Sequence, residues 1–180
     1  HPDHLSEETF RRLPYKKPVL IHKYDSKFVK FKLEMLDFEV IERNHGEPYV
    51  FTNGGSITIF AADNCNPELC AKFLGCGIIE KKFGSTQLDT LAVFEFDNKV
   101  VLNTNDCPFA LAETTIKNNK LHEKEVDLLL VGYGGAGPYP QCFDFDDLEQ
   151  KISAAKAKEK KFLEEAIKYI KLIKPKSYAP

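Results

Sequence analysis

The sequence has no tryptophan, a single methionine and only five cysteines among its 180 residues. An odd and modest cysteine count does not suit a disulfide-stapled secreted scaffold, which is small and pairs its thiols evenly. Cys65, Cys70, Cys76, Cys107 and Cys142 therefore read as reduced thiols of a cytoplasmic protein. No apolar run approaches the roughly 18 residues of a membrane span, and no basic stretch followed by an apolar one opens the chain. Charge of one sign is not in excess either. The net charge of −2 gives no general drive towards nucleic acid or anionic lipid. The phosphate signature G-x-x-x-x-G-K-[ST] is missing as well. The glycine loop over 132–138, whose Gly132, Gly134 and Gly137 have the G-x-G-x-x-G spacing, resembles a phosphate cradle only superficially, because it runs into prolines instead of opening a helix. The spacing of Cys65, Cys70 and Cys76 lacks the CxxC pairs of a zinc ribbon, so buried thiols are the simpler reading.

What is present is a globular composition, 43% apolar with 14 Phe and 7 Tyr. A chain of this length buries roughly 70% of its unfolded surface and needs no staple to fold. Ser6, Glu7 and Glu8 ahead of Phe10 and Leu13 read as the N-cap and acidic first turn of a short helix, ended by Pro14. A short buried strand is expected over 18–22. A helix capped by Asp25 or Ser26 follows, with Phe28, Phe31, Met35 and Leu36 on one face, and then a strand over 38–42. This alternation argues for an α/β layer.

From residue 48 the apolar period drops to two. Strands over 49–52 and 56–61 flank the turn Asn53-Gly54-Gly55, and strands over 91–96 and 99–103 flank Asp97-Asn98. Residues 127–131 read as a buried strand entering the glycine loop. The last third reads as a helix from about 145 to 173, with Ile152, Phe162, Ala166, Tyr169, Ile170 and Ile173 as its apolar stripe. Its lysines, interleaved with glutamates, read as a solvated face. With no repeat and no linker, residues 1–180 form one α/β unit of mixed strands.

Chemistry is concentrated at a few positions. His1, Asp3 and His4 place two imidazoles and a carboxylate within one short stretch before a helix, and such donors suit zinc and other divalent transition metals with a position left open for water. The competing reading makes His1 a frayed end and Asp3 a helix cap. Asp106 stands where a strand runs into a loop and can reach over the sheet edge, although an ordinary Asx-turn places Asp there too. His22, His45 and His122 suggest no role. Tyr133, Tyr139 and Phe143, in and after the glycine loop, are candidates to line a substrate pocket.

His1-Pro2-Asp3-His4-Leu5-Ser6 resembles the second half of the HxHxDH motif of the metallo-β-lactamase superfamily. The stretch from Asp63 through Asn66-Pro67-Glu68, the strand pair ending in Asn105-Asp106-Cys107, the loop reaching Pro140 and the end from Lys174 to Pro180 are similar to the CMP-N-acetylneuraminate hydroxylase-like branch. They are more loosely similar to the L-ascorbate-6-phosphate lactonase-like hydrolases. The resemblance implies a four-layer αββα sandwich, with the chain beginning inside the metal motif and stopping before the fold closes. It implies that His1 ligates a first metal, Asp3 and His4 a second, and that Asp106 bridges them. The family's downstream histidine falls nearest Asn66, a poor ligand, with Asp63 as the substitute. The implied activity is metal-dependent hydrolysis of a small ester, lactone or phosphodiester, with Asp3 holding or deprotonating the water. Zinc is the first choice of metal, with iron or manganese behind it. The alternatives are an iron-dependent oxygenase and a catalytically silent binding domain. The partners implied are a small-molecule substrate and a second copy of the chain in a homo-oligomer, with no nucleic acid and no membrane.

Overall fold

The computed structural model describes residues 5–24, 27–61, 89–134 and 137–180. Two short helices and a parallel strand pair come first: α1 (Glu7–Arg12), β1 (Val19–His22), α2 (Phe28–Glu34) and β2 (Val40–Arg43). Ser6 caps α1, its hydroxyl accepting from the Thr9 N–H at 3.3 Å. β1 and β2 run parallel, with Val19 opposite Val40 and His22 opposite Arg43, so α2 is the crossover between them. Leu33, Leu36 and Phe38 are buried on one side of this pair, with Phe10, Val19, Ile21, Val29 and Val40 packed around them.

The helix face expected on α2 is corrected. Phe28, Phe31 and Met35 are exposed at 67%, 59% and 82%, whereas Leu36 is buried. The face that packs is Val29, Leu33 and Leu36. Both sets recur at helical spacing, so periodicity cannot choose between them. The side that meets Val19 and Ile21 of β1 decides. The N-cap of α2 is Lys27, without a side-chain capping bond, and the expected caps Asp25 and Ser26 lie outside the described residues.

The larger sheet has the order β3 (Pro48–Val50), β4 (Ser56–Ala61), β5 (Thr90–Phe96), β6 (Lys99–Asn103), β7 (Leu128–Leu130) and β8 (Ser177–Ala179). Its first three pairings are antiparallel and its last two parallel. Both expected hairpins form. Asp97 and Asn98 take φ values of +48° and +57°, the left-handed pair that matches the twist of the flanking strands. The architecture among the described residues is thus mixed α/β, as the alternation of periods suggested.

Helices α3 (Phe109–Asn118) and α4 (Leu148–Ile173) cover one face of this sheet. Leu91, Val93, Leu102 and Leu129 from the strands meet Leu111, Ala112 and Ile116 of α3 and Ala166, Tyr169 and Ile173 of α4. α4 begins at Leu148 rather than near 145, because the Asp147 carboxylate accepts from the Gln150 N–H at 2.9 Å and caps it there. Ile152, assigned to its apolar stripe, is exposed; burial starts only in the second half of the helix. None of the described helices is long and apolar enough to cross a membrane.

One carboxylate ties the starts of three strands together. Asp127 accepts from the Val100 N–H at 3.0 Å, from Lys99 Nζ at 3.1 Å and from Lys176 Nζ at 3.0 Å. The Val100 N–H and the two ammonium groups hold its carboxyl far below the usual carboxylate range. Because the folded value lies below the unfolded one, this contribution is complete at neutral pH and fades as pH falls through the acid range. Asp127→Asn should therefore melt lower than the native chain at pH 7, and the gap should shrink below about pH 4. Thermal melts across pH check it. In the core, Leu102→Ala and Leu129→Ala should each cost about 2–5 kcal/mol in urea unfolding, while Ile152→Ala stays within about 0.5 kcal/mol.

Candidate functional site

Strand directions gather the candidate residues at one edge. β4 is antiparallel to β5 and β5 to β6, while β6, β7 and β8 are parallel, so β4, β6, β7 and β8 all point the same way. Their carboxyl ends share one edge, where open α/β sheets bind ligands. The loop carrying Asp106 leaves β6 there, and the glycine loop leaves β7 beside it.

Asp106 is exposed at a tight turn. The Cys107 N–H donates to the Thr104 carbonyl at 3.1 Å across the turn, and Asn105 takes a φ of +53°. The Asn105 N–H donates to Asn103 Oδ1 at 2.9 Å, the Asx-type bond that steadies such a turn. Buried Thr104 holds the turn to the next strand twice: its N–H and its hydroxyl both donate to the Leu130 carbonyl, at 3.0 and 3.2 Å. The Asx-type bond here is made by Asn103, three residues before Asp106, in the turn from which the Asp106 carboxylate projects.

The glycine loop touches this turn directly. A Cβ on Gly132 would come 3.3 Å from the Asn105 carbonyl oxygen, so a side chain there pushes against the turn. Tyr133 and Tyr139 are exposed at 57% and 47% on the loop that follows. Tyr139 lies edge-on to Phe143 at 5.4 Å between centroids and 6.0 Å from Phe145. His1, Asp3, His4, Asp63 and Asn66 lie outside the described residues, as do Cys65, Cys70 and Cys76. Cys107 is buried and Cys142 exposed.

Sequence reasoning passed over a second group. His22 ends β1 with its ring edge-on to Tyr24 at 4.8 Å, and among the described residues its buried Nδ1 has no hydrogen-bond partner. Burial, with His45 nearby, lowers its pKa, while the Arg43 carbonyl works the other way. His45 stands edge-on to Phe60 at 5.6 Å, next to the carboxyl end of β4. Burial pushes the Tyr24 phenol up to about 12, and the Asp89 carboxylate adds to the shift. The one available signal was a strand-final histidine after an apolar run. Among the described residues, no three His, Cys, Asp or Glu side chains stand together in a way that could hold a metal ion.

No family model and no curated protein matches the chain. Among solved structures, an isothiocyanate hydrolase from Delia radicum gut bacteria is similar with a TM-score of 0.44 at 18% identity, over 73% of this chain and 45% of that one. The chain thus spans less than half the length of that protein.

Gly132→Val should disturb the two loops together. The added bulk against Asn105 should cost about 1–3 kcal/mol, and amide exchange should rise over 104–107 as well as over 132–134. Unchanged exchange at 104–107 would show that the loops are independent.

Proposed function

We propose that the chain is a metal-dependent hydrolase of the metallo-β-lactamase superfamily, acting on a small ester, lactone or phosphodiester. The observation that carries this reading is the braced turn presenting the Asp106 carboxylate at the carboxyl end of β6, against the glycine loop. The other face of the six-stranded sheet supports the four-layer form of the fold. Ile57, Phe94, Val101 and Leu128 fall in one register row there, half-exposed, and strands apolar on both faces belong in sheets covered on both sides.

The donor chemistry fits a divalent cation. Asp106 supplies a hard oxygen from a fixed backbone, and a single carboxylate needs company to hold an ion. In this reading His1 would hold a first metal, Asp3 and His4 a second, Asp106 would be shared between them, and Asp63 would take the place of the missing histidine. Zinc suits the mixed nitrogen and oxygen set, as iron and manganese also would. Such a metal, when bound, lowers the pKa of its water and polarises the oxygen of the scissile bond. The chain's own residues do the rest. Asp3 accepts the proton of the attacking water, and Asp106 keeps its carboxylate in place through its turn. Tyr133 and Tyr139 offer ring faces and hydroxyls to an uncharged portion of the substrate.

The test is Asp106→Ala in the full chain, with metal content by mass spectrometry and hydrolysis of p-nitrophenyl acetate and bis(p-nitrophenyl) phosphate. Metal content should fall, and hydrolysis should drop by more than the roughly 10–100-fold that loss of an outer-shell partner costs. Native-like values for both would end the proposal.

A further inference from the structure

Tyr169 is 3% exposed, and its ring packs edge-on against Phe109 at 5.1 Å. Hydrophobic burial explains the ring. It does not explain the hydroxyl, because an unbonded phenol costs free energy in an apolar core and Phe would fill the same space. The hydroxyl donates to the Cys107 carbonyl at 2.7 Å, one residue beyond Asp106. Four residues earlier on the same helix, Glu165 Oε2 accepts from the Phe109 N–H at 2.9 Å.

Glu165 does a job normally done locally. The N-cap of α3 is Pro108, which makes no side-chain capping bond, so the first helical N–H finds its acceptor on another helix. The segment 107–109 is therefore held from both ends of its hydrogen-bonding capacity. A donor grips the carbonyl at 107 and an acceptor grips the N–H at 109, and both come from one face of α4. The same stripe extends further. Lys158 recurs with Glu165 and Tyr169 at helical spacing, and its Nζ donates to the Gly137 carbonyl at 2.9 Å and to the Tyr139 carbonyl. One row of polar side chains thus holds both loops of the site edge.

We propose that Lys158, Glu165 and Tyr169 form a positioning clamp, by which α4 fixes the Asp106 turn and the Tyr139 loop relative to each other. The inference rests on the reading of Asp106 as a metal ligand, and it adds the residues that set where that ligand stands. In the core the helix contributes apolar side chains: Ala166 and Ile173 belong to the same buried cluster as Leu102 and Leu129. Its polar contacts fall at the loops, where a translation of the helix would carry both together. Lys168 Nζ donates to the other Glu165 oxygen, Oε1, at 3.0 Å and so helps to orient that carboxylate.

The test uses the full chain and two readouts: amide exchange over 104–109, and cobalt(II) titration followed by visible absorption. Tyr169→Phe keeps the ring and removes only the hydroxyl; Glu165→Leu removes the acceptor, and Glu165→Gln retains one. Tyr169→Phe and Glu165→Leu should speed exchange over 104–109 by about tenfold relative to the β6 and β7 amides. They should weaken cobalt(II) binding by about 10–100-fold and shift its absorption bands, whereas Glu165→Gln should stay within about threefold of the native chain. Lys158→Met should speed exchange over 137–143, with Lys158→Arg restoring protection. Native exchange and native cobalt affinity in Tyr169→Phe and Glu165→Leu, while Asp106→Asn still loses cobalt, would overturn the clamp. Cobalt binding indifferent to Asp106→Asn would instead sink the metal reading. The clamp would then be judged on exchange alone, with unchanged rates over 104–109 counting against it.

Discussion

The seating of the second half of α4 on β5, β6 and β7 is the contact on which the larger sheet and its edge depend. Ala166 is small enough to let the helix backbone approach the strands, and Tyr169 and Ile173 follow it into the same core as Leu91, Leu102 and Leu129. Burying side chains of this size stabilises by about 1.5–3 kcal/mol each. Position matters as much as energy here. Immediately after Ile173 the chain turns at Lys174, with φ +52°, and enters β8 beside β7. The helix register therefore sets the strand register. Lys176, bonded to the Asp127 carboxylate and paired with Glu125 at 2.7 Å, closes the return at the opposite edge from the site.

A smaller core stands apart from this one. Leu33, Leu36 and Phe38 are its fully buried members, and Phe10 meets Phe38 edge-on at 5.1 Å. Much of what surrounds it is ionic and at the surface: Lys27 and Lys30 both reach Glu42, and Lys32 reaches Glu7. Surface pairs of this kind contribute about 0–1 kcal/mol each, so the β1–α2–β2 unit has less holding it than the larger sheet has. It meets the larger sheet where the functional candidates gather. Burial raises the pKa of Tyr24 in the smaller unit and of Tyr169 in the larger one, and the Asp89 carboxylate adds to both shifts.

What could be read from the sequence follows how local each cause is. The hairpins were legible because Asn53-Gly54-Gly55 and Asp97-Asn98 encode backbone conformations that few other residues adopt. Asp147 makes α4 start three residues later than expected, for the same kind of local reason. The packing face of α2 was not legible, because two helical stripes compete and only the position of β1 separates them. Neither α3 nor β8 was foreseen: α3 has a proline N-cap with its acceptor 56 residues away in Glu165, and β8 is a three-residue strand ordered by pairing with β7. The position of Asp106, in the loop just after a strand, was legible. The group around His22 was not, since its interest lies in a hydrogen bond missing among the described residues, which no sequence pattern records.

A carboxylate at the end of a strand is normally free to follow its loop, and a metal or a proton transfer needs its ligand held within about half an ångström. The Asp106 turn is held through the backbone. Asn105 occupies the left-handed region, which asparagine tolerates better than most residues, and its own N–H is taken by Asn103. Thr104 then fixes the turn to β7, and Gly132 lets the neighbouring loop close to van der Waals range of the Asn105 carbonyl. Those contacts set the turn's shape but leave its tilt over the sheet edge open, because they all lie on the β6–β7 side. Tyr169 and Glu165 supply the restraint from the helix side, at the residues immediately following the carboxylate. Strand and helix therefore both have to be in register before Asp106 stands where chemistry would use it, and this links the integrity of the core to the geometry of the site.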